Sequence, residues 1–73
     1  MSSFGERLNQ LRKTNNLKAE ELAIIAGVKR RIIFMYEKGD TKPSFDVLIS
    51  LADYFNVSLD YLVGRSNSSA RNK

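Results

Sequence analysis

A chain of 73 residues without cysteine or histidine has room for one small domain, held by an apolar core without disulfides, thiolate metal sites or histidine zinc sites. The same composition gives an enzyme little to work with: there is no Gly-rich phosphate loop and no carboxylate pair placed for acid–base chemistry. The formal net charge of +4 suits a polyanionic partner, and its placement says more than its size.

Ser3-Phe4-Gly5-Glu6 has the pattern of a capping box and predicts a helix from Phe4. Phe4, Leu8 and Leu11 recur at i, i+4, i+7 and form its apolar face. Arg7, Asn9, Gln10 and Lys13 are assigned to the other side. Asn15-Asn16 ends the helix, because Asn tolerates the turn that follows a last helical residue. Leu17 then returns to the core.

The stretch from Lys18 to Gly39 organises the rest. A helix over Ala19–Ala26 packs through Leu22, Ala23 and Ala26. Gly27 permits a left-handed turn, and Val28 anchors it. A second helix, Lys29 to Lys38, turns Ile32, Ile33 and Tyr36 inward. It leaves Lys29, Arg30, Arg31, Phe34, Met35 and Lys38 outward. Two helices joined through a tight Gly turn, the second cationic at its start, read as a helix-turn-helix.

Both helix starts in this stretch are chemically unusual. A helix N-terminus presents unpaired N–H groups and a partial positive charge, which Ser, Thr, Asp or Asn normally satisfies. The cap positions here hold Lys18 and Lys29, which cannot accept a hydrogen bond. Glu20 and Glu21 offset this at the first start. At the second, Lys29, Arg30 and Arg31 add three cations to an already positive end, an arrangement that suits contact with phosphate.

Gly39 closes the second helix, and Asp40 to Pro43 form a polar loop. Ser44 caps a helix to Phe55 with Leu48, Leu51, Ala52 and Phe55 inward and Phe45 joining them. Asn56 ends it, Val57 anchors the turn, and Ser58 caps a last short helix in which Leu59 and Leu62 face inward. Gly64 stops that helix. The fold class is therefore all-α, a compact bundle of five short helices without a strand. Residues 1–65 are expected to form the domain and 66–73 a flexible polar, basic tail.

Charge is segregated along the chain. Residues 28–42 carry Lys29, Arg30, Arg31, Lys38 and Lys42 against Glu37 and Asp40. Residues 43–63 carry Asp46, Asp53 and Asp60 and no basic residue. The motif is thus the cationic end of the molecule. The longest apolar run, Leu22 to Val28, is far too short to cross a bilayer. With no secretion signal at the N-terminus, a cytoplasmic protein is expected.

Phe4-Gly-Glu-Arg-Leu, Leu22-Ala23, Gly27-Val28, Tyr36-Glu37-Lys-Gly39, Pro43-Ser44 and Phe55-Asn-Val-Ser-Leu-Asp-Tyr-Leu together resemble the phage Cro/repressor-like (Xre) helix-turn-helix family over residues 4–65. The resemblance implies a lambda repressor-like DNA-binding domain. It also implies a transcriptional repressor, bacterial or phage-encoded and associated with the nucleoid, that binds a two-fold operator as a homodimer. The helix Lys29–Lys38 would be the recognition helix in the major groove of double-stranded DNA. Lys29, Arg30, Arg31, Phe34 and Met35 would face the bases; Lys18, Ala19, Lys38 and Lys42 would flank phosphates. Arg12 and Glu37 would form a structural ion pair between the first helix and the recognition helix. By analogy, the dimer surface would lie around Asn56 to Val63. No cofactor, metal or small-molecule ligand is implied.

The sequence departs from the family pattern in two places. Lys18-Ala19 stands where Thr-Gln is usual, and Ile24, Ile25, Phe34 and Met35 stand where polar residues are common. The second departure supports an alternative function, a protein-interaction module that uses those four residues as an apolar docking patch.

Overall fold

Residues 3–69 are described by the structure, a computed structural model. They form α1 (Phe4–Thr14), α2 (Ala19–Ala26), α3 (Arg30–Lys38), α4 (Phe45–Phe55) and α5 (Leu59–Leu62). There is no strand among the described residues, and the all-α, five-helix expectation holds. Residues 70–73 of the expected tail lie outside the described residues.

Local chemistry sets the helix ends. The Ser3 hydroxyl accepts from the Glu6 backbone N–H at 3.2 Å, and the Glu6 carboxylate accepts from the Ser3 N–H at 3.0 Å. The Ser3 N–H, and the Ser3 hydroxyl donating to the same carboxylate at 3.1 Å, favour the ionised carboxyl and lower its pKa. Ser44 and Ser58 cap α4 and α5 in the same way, accepting from Val47 and Tyr61. Left-handed residues end the middle helices: Gly27 at φ 75°, Gly39 at φ 83° and Asn56 at φ 56°. Val63 is the C-cap of α5, with Gly64 one residue further on. The backbone then turns back, and the Asp60 carbonyl accepts from Arg65 and Ser66 N–H groups.

Each helix places one side chain at 0% exposure in the centre: Leu8, Leu22, Ile33, Leu51 and Leu62. Around them α1 packs on α3 and α5, α2 on α3 and α4, and α4 on α5. The helix-turn-helix pair is thereby held from two sides, by α1 and by α4.

Arg7, Phe45 and Leu59 stand elsewhere than expected. Arg7 is buried, at 5% exposure, and not on the solvated side of α1. Its position continues the apolar spacing, i+3 from Phe4 and i−4 from Leu11. The guanidinium lies 4.0 Å from the centre of the Tyr61 ring, and Arg is weakly enough hydrated to stack on an aromatic face. Phe45 is exposed, because Val47 occupies the inward direction in the first turn of α4. Leu59 is also exposed, since four-residue α5 has only one position, Leu62, pointing fully inward.

Candidate nucleic-acid interface

Position on α3 decides which side chains a ligand could meet. Ile33 and Tyr36 are buried and Ile32 packs on the core, so the opposite face must look outward. Lys29, Arg30, Arg31, Phe34 and Lys38 are exposed there, and Met35 is partly buried. Helix α3 begins at Arg30, with Lys29 as its N-cap and not its first helical residue. Lys18, the N-cap of α2, and Lys42, in the α3–α4 loop, are exposed as well. Among the described residues none of these six cations is in an ion pair. The Ala19 side chain is buried, so of the flanking positions it has only main chain to offer.

The two cationic helix starts differ in how they are satisfied. At α2 the Glu21 carboxylate accepts from the Lys18 backbone N–H at 2.8 Å, which is half of a capping box. Lysine cannot supply the other half. At α3 no side chain accepts from the first turn, and no acidic residue lies in it. Replacing Lys29 with Ser is expected to stabilise the fold by about 1 kcal/mol, read as a rise in thermal midpoint. A midpoint that falls would show that Lys29 already satisfies its helix.

What fixes α3 is a polar cluster at its far end. Arg12 Nε donates to Glu37 Oε2 at 2.7 Å, and Arg12 Nη2 donates to Glu37 Oε1 at 3.1 Å. Asn9 Nδ2 donates to the same Oε1 at 2.9 Å, and Arg12 Nη1 donates to the Leu17 carbonyl at 3.2 Å. The two charged side chains are 15% and 9% exposed, so they are paired and largely out of water. The hydrogen bonds from Arg12 to Glu37 raise the Arg12 pKa above its ordinary value, against the smaller opposing effect of burial. The Arg12 guanidinium also lies 6.0 Å from the centre of the Phe34 ring. The second partner of Glu37 is Asn9, which the sequence assigns to the solvated side of α1. Its spacing of three from Arg12 was the available signal, since i and i+3 share a helix face.

The four apolar residues of the alternative reading are not equally available. Ile24 is 82% exposed and Phe34 44%, whereas Ile25 packs on the core. Phe34 has the Arg12 side chain beside it.

A helix-turn-helix with a cationic second helix thus defines the class, and comparison with known proteins agrees. A helix-turn-helix family profile matches residues 8–62, and the chain belongs to that family. The uncharacterised HTH-type transcriptional regulator YobD of Bacillus subtilis (strain 168) is 41% identical over 61 residues, covering 84% of this chain and 54% of that protein. A transcriptional regulator from Listeria innocua superposes with a TM-score of 0.84 at 37% identity, over 96% of this chain and 65% of that one. The P22 c2 repressor, crystallised with a synthetic operator, superposes with a TM-score of 0.83 at 27% identity, over 90% of this chain and all of that one. The chain spans about half the length of the curated relatives it matches.

Proposed function

We propose that this protein is a sequence-specific, double-stranded DNA-binding transcriptional repressor that reads the major groove with α3. One observation carries the reading. The exposed face of α3 holds Arg30, Arg31 and Lys38 without acidic partners, behind a first turn that no side chain caps. Uncompensated cations at an uncapped N-terminus are poorly arranged in water and well arranged against phosphate. The likeness to P22 c2, a repressor crystallised with a synthetic operator, supports the same reading.

In this reading Arg30 and Arg31 pair with guanine O6 and N7, and Phe34 and Met35 meet thymine methyls. Lys29 sits at the base edge beside them. Lys18, Lys38 and Lys42 hold phosphates, with the main chain at Ala19. Glu37 and Arg12 read no base and hold α3 at its angle to α1. The protein acts as a homodimer on a two-fold operator, with half-sites about one helical turn apart. The exposed Tyr54 and Leu59 at the α4–α5 corner support a dimer surface near Asn56–Val63. It works in the cytoplasm at the nucleoid, as a regulator and not an enzyme. The adaptor reading is weaker, because Ile25 is committed to the core.

Selection of binding sites from random duplex DNA tests this directly. The expected product is a two-fold sequence bound with a steep salt dependence. Arg30→Ala or Arg31→Ala should weaken that site by about 1–3 kcal/mol and random duplex far less. Equal weakening on all DNA would make both residues phosphate contacts. Failure to bind any duplex at low ionic strength would sink the proposal and favour the adaptor. Lys29→Ser, expected to stabilise the free protein, should at the same time weaken its DNA complex.

A further inference from the structure

The seam between α1 and α3 contains a contact that no side chain mediates. Gly5 is buried in the first turn of α1. A β-carbon placed on it would lie 2.5 Å from the Tyr36 carbonyl oxygen and 2.6 Å from the Glu37 carbonyl oxygen. Real β-carbons essentially never approach within 3.0 Å. Both oxygens belong to the backbone near the C-terminal end of α3, so neither can swing aside as the tip of a long side chain could. Gly5 is not in the left-handed region. Glycine is a poor helix former, and what this position uses is the missing side chain.

The surroundings make this contact a fulcrum. The Phe4 ring meets the Tyr36 ring edge-on with centroids 5.9 Å apart. The Glu37 side chain is tied to Asn9 and Arg12. Residues 36 and 37 are therefore fixed to α1 through backbone and side chains together. Arg30 and Arg31 stand nearly two turns away at the exposed end of the same rigid rod. A side chain at position 5 would push the near end out by about half an ångström or more and tilt the far end. Hydrogen bonds to base edges need close distance and angle. Contacts between flexible lysines and phosphate tolerate such a change.

We propose that Gly5 is a positioning residue for base reading: by letting the backbone of α3 rest directly on α1, it sets the tilt at which Arg30 and Arg31 meet the bases. The inference rests on the DNA-reading proposal above.

The test compares wild type, Gly5→Ala and Val47→Ala. Val47 is a buried residue of α4, the helix that packs on α2 and α5. Affinities for the selected operator and for random duplex are measured at a temperature where circular dichroism shows all three folded. Residual dipolar couplings report the angle between α1 and α3. Gly5→Ala should lower the operator-to-random affinity ratio by about tenfold or more, the effect of losing one good base contact. Its affinity for random duplex should stay within about threefold, and α3 should be rotated. Val47→Ala should leave the ratio within about twofold. An unchanged ratio in Gly5→Ala with an unrotated α3 overturns the proposal. So does a Gly5→Ala protein that cannot fold where Val47→Ala does, because Gly5 would then be a requirement of folding alone. A wild-type ratio near one would instead overturn the DNA-reading proposal, and the dipolar couplings would still decide whether Gly5 sets the tilt.

Discussion

Replacing Glu37 with alanine should destabilise the domain by about 3 kcal/mol and lower its thermal midpoint by roughly 10–20 °C. The size follows from what is left behind. Arg12 would keep its charge in a site that exposes only 15% of its side chain, with no carboxylate to meet it. Asn9 would lose its acceptor at the same time. Removing one partner of a buried pair costs more than the pair contributes, because the survivor has been taken out of water for nothing. Arg12→Lys, with Glu37 in place, should lose part of the same stability. One ammonium cannot span both Glu37 oxygens and the Leu17 carbonyl as the guanidinium does. Thermal and urea denaturation of the two variants measures both effects. A loss under about 1 kcal/mol for Glu37→Ala would mean that water already satisfies the cluster.

Leu22→Ala should cost a similar or larger amount, about 3–5 kcal/mol. Leu22 is fully buried on α2, the helix packed against both α3 and α4. Its helix packs on two others, so a cavity there cannot be closed by shifting one of them. A domain of this length has total stability of only about 4–11 kcal/mol. The variant should therefore be partly unfolded near 37 °C and, on the proposed function, bind DNA in proportion to its folded fraction. Added operator duplex should raise its midpoint, since a ligand that binds only the folded state stabilises it. A midpoint within about 5 °C of wild type would show that the core at Leu22 collapses more readily than its packing implies.

Most of the fold was legible in the sequence because its helix ends are written in local chemistry. Ser3 with Glu6, Gly27, Gly39, Ser44 and Asn56 act within a few residues of themselves, so no tertiary knowledge was needed to place them. The outward cations of α3 were legible for a related reason: three charges in sequence at a helix start cannot all be buried. What escaped depended on partners distant in the chain. Arg7 reads as a solvated residue until Tyr61 lies against it. Phe45 and Leu59 read as core residues until the bundle has no room left for them. Gly5 looks unremarkable in its own turn, and only the arrival of Tyr36 and Glu37 gives its lack of a side chain a purpose. Asn9 joins the Glu37 cluster across 28 residues of sequence.

The bare first turn of α3 has an evolutionary implication. On the proposed DNA-reading function, heat resistance and recognition pull position 29 in opposite directions, so a screen rewarding survival at high temperature alone would enrich hydroxyl or carboxylate side chains there. The winners would be robust proteins that had lost their grip on the genome. On that function, keeping lysine at the site requires selection on the bound state, and its replacement should reverse when operator occupancy is placed under selection again.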